Sequence, residues 1–522
     1  MKIILISPHG SLIAHGLRQI GACLQKAGHS ICMVFLPLPE EIELLPGAEI
    51  KNHYHPGLMD DIAEICRGAD IIGMSCSTYH FRRLAMLSDY LRHKINARIV
   101  WGGIHATVSF EECLQHADWV CRGEGEIAMQ ELAEDIEEGG NGHDIANICY
   151  RSEESGKIMA NPLRPLIQDI DDLPYPLYEH KGHYILHGKK LAELTPELAC
   201  WHLSDGYSFG NGSAYHVWAT RGCPHHCTYC CNSFYLSIYP QWNIVRRHGN
   251  QRIIEEICYM RDKMPFIDRV AFMDDTFFAA SNDVITEFSK LYKKKVDLPF
   301  FACASPATLN KQHLELMVSA GLRYIWIGMQ SGSTRMQRFY RRNNDIKCLQ
   351  KTSVLLAEYK GKIRPPVFDF IIDPTFQEPE DQRLTLELIK KLKYPFQLAL
   401  YSMTFFPGTE ITRIALEKGF KAISAEEKNI LSLERNFYRT ALWAYGRNLP
   451  KKWLNVLSRP LVYRVLSGWC ISWLWRLFGA WLERRERKQL IKWTVRHRRE
   501  VIEKNFPGMD WEELAAAPFN VK

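Results

Sequence analysis

The chain has 522 residues, of which 46% are hydrophobic, so two to four domains with substantial cores are expected. Its net charge of +6 is uneven: residues 435–504 hold 17 Lys and Arg against 4 Asp and Glu, and seven of the fourteen tryptophans, which leaves the rest mildly acidic. The first apolar run ends at Pro8 and is too short for a signal peptide. Sixteen cysteines without regular pairing predict reduced cytosolic thiols rather than a disulfide framework.

The first third of the chain alternates short apolar strands with amphipathic helices. Strands are predicted at 2–7, 30–36, 70–75 and 97–101, and helices at 15–28, 60–67 and 82–94. This alternation predicts a doubly wound parallel, Rossmann-like α/β domain over residues 1–145. Ligands bind such sheets at the carboxyl ends of the strands. The candidate ligand-binding residues there are Ser7, Gly10, Ser75, Ser77, Gly102, Gly103, His105, Gly123 and Glu124.

Residues 146–212 are predicted to connect this domain to the next. Pro162, Pro165, Pro174 and Pro176 lie near an acidic run at 169–172, a composition typical of an extended linker. Residues 181–212 are rich in Gly and His and are predicted to form an irregular lead-in that packs over the active site.

The segment 221–230 carries the most specific motif. Cys223, Cys227 and Cys230 form a CxxxCxxC pattern with Tyr229 directly before the last cysteine. Three thiolates on one loop can bind three irons of a [4Fe–4S] cluster and leave the fourth iron open to a ligand. The alternatives are a zinc site that recruits Cys231 as a fourth ligand and a disulfide, which needs an oxidising compartment.

After the cysteine loop, strand and helix patterns alternate again. Six strands are predicted at 216–220, 269–273, 299–304, 324–328, 367–372 and 397–404. They predict a parallel α/β unit over residues 213–425.

The cysteine spacing and the Tyr229-Cys230 pair resemble the radical SAM superfamily. The strings at 101–107 and 121–126 resemble the cobalamin-binding domain that precedes many radical SAM cores. The resemblance implies a [4Fe–4S] cluster, S-adenosylmethionine bound at its open iron, a 5′-deoxyadenosyl radical and cobalamin. It also implies that the unit over residues 213–425 is a partial, TIM-like (β/α)6 barrel, whose site lies at the carboxyl ends of its strands. The DxHxxG motif of several cobalamin enzymes is absent, since His9 and His15 lack the preceding Asp. The resemblance therefore leaves open cobalamin without a histidine ligand below the cobalt, and no cobalamin at all.

The same resemblance assigns residues to the S-adenosylmethionine site. Asp274 and Asp275 match the strand-two element near the amino group, although either could instead cap the next helix. Asp373 matches a position that usually holds glycine, and it is either a substrate contact or a turn residue. Tyr229, Ser305, Gln330, Ser331 and Gly332 complete the residues that the family pattern places at the cofactor.

Residues 426–522 are predicted to form a basic, Trp-rich helical region. A helix over 460–482 carries Arg464 and Arg476 on one edge and a wide face with Trp473 and Trp481. Such a helix suits either peripheral contact of residues 460–488 with the inner face of a membrane or packing against the barrel. Nucleic acid is not expected, because no recognisable nucleic-acid module accompanies the basic residues.

The sequence therefore predicts a cytoplasmic radical SAM enzyme, with a cobalamin-dependent methyltransferase acting on an unactivated carbon as the first hypothesis. Ring closure, oxidation or rearrangement of a porphyrin- or lipid-like substrate is the second hypothesis. A non-catalytic cobalamin-binding or membrane-associated protein is the alternative from another class. The expected partners are a small-molecule substrate, apolar or lipid-like, and an electron donor such as flavodoxin or ferredoxin.

Overall fold

The computed structural model describes residues 1–9, 12–37, 53–204, 212–342, 344–420, 434–446, 451–509, 511 and 514. Two parallel sheets form its framework, one in the N-terminal third and one in the middle of the chain.

The N-terminal sheet has nine strands in the order β7-β6-β5-β4-β3-β1-β2-β8-β9. They are β1 Lys2–Ser7, β2 Ser30–Phe35, β3 Ile71–Ser75, β4 Arg98–Gly102, β5 Trp119–Cys121, β6 Ile148–Arg151, β7 Ile158–Ala160, β8 Tyr184–His187 and β9 Lys190–Glu193. The helices are α1 His15–Lys26, α2 Pro56–Cys66, α3 Phe81–Lys94, α4 Ile104–Val108, α5 Phe110–Cys113 and α6 Glu126–Glu137. The pairs from β5 through β4, β3, β1 and β2 to β8 are parallel, which confirms the predicted doubly wound sheet. Its central strands read as continuous apolar runs because both faces are covered.

The prediction that residues 181–212 are irregular is partly wrong, because β8, β9 and α7 (Pro196–Leu203) lie among them. Strands β6 and β7 extend one edge of the sheet by antiparallel pairing with β5, and β8 adds to the other edge beside β2, followed by β9. The prolines at 162–176 lie between β7 and β8, and β6 and β8 pair with strand edges that would otherwise be open. Residues 205–211 of the predicted lead-in lie outside the described residues.

The second sheet has six parallel strands in the order β10-β13-β14-β15-β16-β17. They are β10 Ser213–Val217, β13 Ile267–Phe272, β14 Phe300–Ala304, β15 Leu322–Gln330, β16 Val367–Ile372 and β17 Gln397–Ser402, while β11 Thr220–Arg221 and β12 Arg246–Arg247 form a separate antiparallel pair. The helices before and around the sheet are α7 Pro196–Leu203, α8 Asn232–Ile238, α9 Asn250–Lys263, α10 Asn282–Lys295, α11 Lys311–Ala320, α12 Thr334–Phe339, α13 Ile346–Ala357, α14 Pro379–Lys391 and α15 Glu410–Glu417. The linear strand order confirms the predicted partial (β/α)6 barrel.

The C-terminal helices are α16 Phe437–Gly446, α17 Lys451–Leu457, α18 Pro460–Leu466 and α19 Ser472–Asn505. The single helix predicted over 460–482 is wrong, since the chain breaks after Leu466 and a short 3₁₀ turn precedes α19. Ser467 and Gly468 stand at the break, and glycine disfavours a helix interior. None of the described helices is long and apolar enough to cross a membrane.

Candidate active site

The cysteine loop begins directly after β11. Gly222 has φ +91°, and a Cβ at this position would lie 2.6 Å from the carbonyl oxygen of Trp242. The turn therefore requires glycine. The backbone N–H of Cys223 donates to the same carbonyl at 3.3 Å, and that of Cys230 donates to Cys227 at 3.2 Å. These contacts hold the loop close to the antiparallel β11–β12 pair.

The three cysteines of the motif suit a cluster better than a single ion. Cys223 and Cys227 are buried and Cys230 is partly buried, whereas Cys231 is exposed. Within the described residues no three His, Cys, Asp or Glu side chains converge as one metal ion requires. A cluster places its irons at separate corners, each bound by its own thiolate. All sixteen cysteines are unpaired, so the disulfide alternative is wrong.

Burial and a neighbouring carboxyl disfavour ionisation of the Cys223 thiol. Burial, then Asp275 and the other two loop thiols, raise the pKa of Cys223 to about 12. Iron binds deprotonated cysteine, so a bound cluster would stabilise the thiolate form at this buried position. The donor set and its surroundings therefore fit a [4Fe–4S] cluster.

Arg342 brings a cation to the loop. Its Nη1 donates to Cys227 Sγ at 3.6 Å, and its Nη2 donates to Ser305 Oγ at 3.4 Å and to the carbonyl of Gly328 at 3.2 Å. No ion pair with a carboxylate is formed by Arg342 among the described residues. The guanidinium lies between the cysteines and the ends of β14 and β15, where it can bind an anionic group.

Asp274 and Asp275 lie at the end of β13, beside the cysteine loop. Asp274 is buried and accepts from Thr220 Oγ1 at 2.6 Å, and burial raises its pKa to about 6. Asp275 is more open and accepts from Asn232 Nδ2 at 3.0 Å. The alternative that one of them caps the next helix is wrong, because Ser281 caps α10.

Of the candidate residues at the end of β15, Gln330 lies at the mouth of the barrel, whereas Ser331 and Gly332 pack against α14. Gln330 has φ +64° at a bulge that ends β15, and its amide comes close to Gly328. The Ser331 hydroxyl lies 3.3 Å from that of Thr385, and a Cβ on Gly332 would collide with Thr385 of α14. Ser331 and Gly332 therefore lock the loop onto α14, while Gln330 and Ser305 stay beside Arg342.

Tyr229 and Asp373 are both held by Tyr340. The ring of Tyr229 packs edge-to-face on Tyr340, with centroids 5.4 Å apart. Asp373 is fully buried: its Oδ2 accepts from the Tyr340 hydroxyl at 3.0 Å, and its Oδ1 accepts from the backbone of Thr375 and Phe376. These contacts correspond to the turn-residue alternative for Asp373, and they leave its carboxylate no free oxygen for a substrate.

Five candidate residues of the N-terminal sheet gather at one edge. Ser7, Ser75, Ser77, Gly102 and Gly103 stand at or just after the ends of β1, β3 and β4, which are neighbours. Gly103 has φ +97°, and a Cβ there would lie 2.8 Å from the carbonyl of Cys76, so the edge is bare backbone at this point. Gly10 lies outside the described residues.

Histidines line the same edge. His9 contacts Ser75 through Nε2 at 3.4 Å, Ser77 Oγ lies 2.7 Å from His80 Nδ1, and the two rings pack edge-to-face at 4.9 Å. Burial lowers the pKa of His9 to about 4, so its imidazole is neutral. Small hydroxyls, neutral imidazoles and bare backbone fit the approach of a large planar cofactor such as cobalamin.

Three other candidates of this domain face elsewhere. His105 is buried and bonds Thr78 through Nδ1 at 3.2 Å. A Cβ on Gly123 would overlap the Tyr239 hydroxyl. Glu124 accepts from Arg221 at 3.2 Å, from Arg246 at 3.1 Å and from the backbone of Ile167 at 2.9 Å. Gly123 and Glu124 therefore join the N-terminal domain to the barrel, and their predicted contact with a cofactor has no geometric support.

The ligand edges of the two sheets face each other. The loop after β3 meets the loop after β17, where Tyr79 packs edge-to-face on Phe406 at 5.5 Å. A Cβ on Gly408 would lie 2.7 Å from Val108 of α4. The His15 imidazole stacks on the Trp218 indole, with centroids 4.4 Å apart. The loops at the carboxyl ends of the two sheets therefore contact each other.

Two functional candidates were missed from the sequence. Arg342 follows α12 in a run of polar residues that gives no signal of burial. Asp369 is the single charged residue in the run Val367–Ile372, and its alternation with Phe368 and Phe370 could have placed it on the inner face of the barrel.

Two family models match the chain. The B12 binding domain matches residues 1–133, and the radical SAM superfamily matches residues 219–390. The first covers the parallel part of the N-terminal sheet, and the second runs from just before the cysteine loop to α14.

Curated relatives share moderate identity with the chain. An uncharacterised methyltransferase from Pyrococcus horikoshii is 28% identical over 367 residues, which cover 68% of this chain and 72% of the relative. The anaerobic magnesium-protoporphyrin IX monomethyl ester cyclase of a Synechocystis strain is 28% identical over 275 residues, 50% of this chain and 47% of the relative. The bacteriochlorophyllide d C-8(2)-methyltransferase of Chlorobaculum tepidum is 20% identical and covers 76% of this chain and 79% of the relative.

Solved structures share the fold at 13% identity. The radical S-adenosylmethionine methyltransferase TsrM from Kitasatospora setae superposes with a TM-score of 0.60, covering 80% of this chain and 76% of that one. The cobalamin-dependent S-adenosylmethionine radical enzyme OxsB gives a TM-score of 0.62, covering 99% of this chain and 80% of that one. The two family models and the cysteine loop show that the chain combines an N-terminal B12-binding domain with a radical SAM superfamily domain, and the solved structures share its fold.

Proposed function

We propose that the protein is a cobalamin-dependent radical SAM methyltransferase that acts on an unactivated carbon. The observation that carries the proposal is the opposition of the two ligand edges through the pairs Tyr79–Phe406 and His15–Trp218. A methyl carrier at one edge and a radical source at the other would then meet the same substrate carbon.

The side chains at the barrel mouth have distinct roles in this proposal. Cys223, Cys227 and Cys230 hold the cluster, the carboxyls of Asp274 and Asp275 pair with the ammonium of S-adenosylmethionine, and Arg342 pairs with its carboxylate. When bound, the cluster and S-adenosylmethionine supply a carbon-centred radical and cobalamin supplies a transferable methyl group.

The chain's own contribution is positioning and the exclusion of water. The contacts Tyr79–Phe406 and His15–Trp218 join the N-terminal domain to the barrel and exclude water where they form. A reactive radical is protected where solvent cannot enter. The neutral imidazoles of His9 and His80 add no charge beside the cobalamin edge, since burial lowers the pKa of both.

Methyl transfer is tested with S-adenosylmethionine that is isotopically labelled in its methyl group. The reconstituted enzyme is incubated with reductant, cobalamin and lipid or pigment extracts, and the products are analysed by mass spectrometry. A methyltransferase leaves label in a product, whereas formation of 5′-deoxyadenosine with unlabelled product would refute methyl transfer and retain the radical core.

The second candidate is a radical oxidation or ring closure. It is favoured by the similarity to an anaerobic magnesium-protoporphyrin IX monomethyl ester cyclase, although that match covers half of this chain. The same labelling experiment distinguishes it, because a cyclase consumes S-adenosylmethionine without methylating its substrate.

A reduced cytoplasm and an electron donor such as flavodoxin or ferredoxin follow from this proposal. The cluster must be reduced by one electron before each cleavage, and low-potential iron–sulfur or flavin proteins supply such electrons. Sixteen unpaired cysteines accord with a reducing compartment.

We also propose that the C-terminal region contacts an anionic membrane surface. Leu461, Val465, Trp473, Leu477 and Trp481 on α18 and α19 are exposed, the first to 78%. Arg464, Arg476, Arg484, Arg485 and Lys488 are exposed among or just beyond them. On its other side, α19 packs on α16, where Glu483 pairs with Arg435 and Arg439. One face is thus held by the protein and the other is apolar and basic, as an interfacial helix requires.

Sedimentation with vesicles tests this contact. The protein is expected to bind phosphatidylglycerol–phosphatidylcholine vesicles more tightly than pure phosphatidylcholine, and Trp473→Ser with Leu477→Ser is expected to weaken binding about tenfold or more. Leu416→Ser, an exposed apolar residue of α15, is the matched control. Equal binding by both variants would exclude the patch as the contact.

A further inference from the structure

The inner face of the barrel is apolar and aromatic apart from a few polar side chains. Ala214, Ala271 and Phe301 form a small cluster with Met273, Cys303, Tyr324 and Trp326 packed against it. The strand register pairs Cys303 with Trp326, Trp326 with Val367, and Gly328 with Asp369. Since residues two apart on a strand share a face, Asp369 lies on the same inner face as Trp326, one step nearer the mouth.

Asp369 is half-buried, and no described residue donates a hydrogen bond to its carboxyl. Its Oδ1 is buried and accepts no hydrogen bond from the described residues. Burial raises its pKa to about 8, and the positive charge of Arg342 only partly opposes this effect. Arg342 itself is directed to Cys227, Ser305 and the Gly328 carbonyl.

The other carboxyls at the mouth each accept at least one hydrogen bond, although Asp274 Oδ2 is also buried without a partner. Asp274 accepts from Thr220, Asp275 accepts from Asn232, and Asp373 accepts from Tyr340 and the backbone. A buried polar group without a partner is costly to the fold, so its retention calls for a reason. Trp326 also has a buried polar atom without a partner, because its Nε1–H donates no hydrogen bond to the described residues.

We infer that Asp369 and Trp326 form a substrate-holding subsite, and that this subsite takes a flat, largely apolar molecule whose ammonium or ring N–H donates to Asp369. The inference deepens the proposed function and rests on it. The strand-two carboxyls serve S-adenosylmethionine, which leaves Asp369 for the substrate. The Trp326 N–H would donate to an acceptor on the same molecule, whose body would lie against Trp326 and Phe301.

Binding of two matched probes by equilibrium dialysis tests the subsite without turnover. Tryptamine carries an ammonium on a flat ring, and indole-3-propionate carries a carboxylate on the same ring. The cluster-reconstituted protein is expected to bind tryptamine more tightly, and Asp369→Asn is expected to weaken tryptamine binding about tenfold or more while changing indole-3-propionate binding little. Trp326→Phe keeps the ring and removes the donor. Asp283→Asn, exposed on α10, is the control.

Thermal unfolding separates a binding role from a structural one. A carboxyl without a partner destabilises the fold, so Asp369→Asn is expected to raise the Tm, whereas loss of a structural carboxyl lowers it. Failure of the wild type to bind tryptamine, unchanged binding by Asp369→Asn, or a lowered Tm for that variant would each overturn the inference. The labelling experiment on methyl transfer is unaffected by these outcomes, so the two proposals fail separately.

Discussion

The Arg221 guanidinium donates to Glu124 at 3.2 Å, across the boundary between the B12-binding domain and the barrel. Arg221 stands two residues before Cys223, and its second amino group donates to Glu126 at 2.5 Å. Arg246, next to Arg221 on the paired strand β12, also donates to Glu124. The start of the cluster loop is therefore held by a partly buried ionic network whose anions belong to the other domain.

Glu124→Gln is expected to destabilise the protein and to lower iron incorporation. The change leaves Arg246 and Arg221 without their shared anion, but Arg221 keeps Glu126, so the cost is expected to be below the value of about 3–5 kcal/mol for a fully buried pair that loses one partner. Urea unfolding and iron content per chain are the measurements. Glu111→Gln, at an exposed position in α5, is the control. If both variants have the same stability and iron content, Glu124 does not hold the start of the cluster loop.

Each of Cys223→Ala, Cys227→Ala and Cys230→Ala is expected to abolish cluster assembly, because three thiolates are the whole protein ligand set. Cys231→Ala is the control, since this neighbouring thiol is exposed. Iron content and 5′-deoxyadenosine formation after anaerobic reconstitution are measured. Loss of the cluster in the Cys231 variant would show that the ligand set is wrong.

Arg342→Gln is expected to weaken binding of S-adenosylmethionine about tenfold or more, because charge-assisted pairing with its carboxylate is lost. Equilibrium dialysis on the reconstituted protein gives the affinity. Arg341→Gln is a close control, since the adjacent Arg341 is exposed and pairs with Glu410. If both variants lose affinity equally, general charge rather than the position of Arg342 is responsible.

Gly103→Ala is expected to lower cobalamin binding and the stability of the N-terminal domain. The backbone there has φ +97°, and the added methyl group would collide with the carbonyl of Cys76. Gly16→Ala in α1 has no neighbour within 4 Å and should stabilise the helix by roughly 0.5–1 kcal/mol. Titration with cobalamin and thermal unfolding of both variants test the contrast.

The Tm gain of Asp369→Asn is expected to grow between pH 5 and pH 8. The folded pKa of about 8 lies above that of an unfolded Asp, near 3.9, so folding takes up a proton throughout this window. The wild type therefore loses stability as the pH rises, and the Asn variant does not. Of the groups that act on Asp369, Arg342 remains charged over this range, and the Cys303 thiol remains protonated. If the Tm difference between the variant and the wild type does not change with pH, the Asp369 carboxyl is in contact with solvent or with a hydrogen-bond partner.

Much of the framework could be predicted because it depends on local patterns. The parallel strands in the middle of each sheet are continuous apolar runs, which the sequence pattern identifies directly. Strands β1, β3 and β16 therefore begin and end within about one residue of their predicted bounds. Strands β6 to β9 were missed because they are short and because β6 and β8, which attach the other two to the sheet, pair with strands farther back in the chain. Only the unpaired edges of the finished sheet select them.

The candidate site was predictable where its chemistry is consecutive in sequence and less so where it depends on neighbours. The cysteine loop is one motif. Glu124 looked like a ligand residue at a strand end, but two arginines about 100 residues later bind its carboxylate. Asp373 was a candidate substrate contact because it stands where relatives usually have glycine. In the structure the Tyr340 hydroxyl and backbone N–H groups donate to both of its carboxylate oxygens. Whether a carboxylate is free or bound is a tertiary property.

The nine-stranded sheet has a practical consequence for dissection of the protein. The B12 binding domain model ends at residue 133, but the sheet is completed only by β8 and β9, which end at Glu193. A fragment cut at residue 133 would expose the outer edges of β2 and β5, and unpaired strand edges recruit other chains. An expression fragment intended to bind cobalamin should therefore extend through Glu193 to the end of α7 at Leu203, beyond the boundary suggested by family similarity.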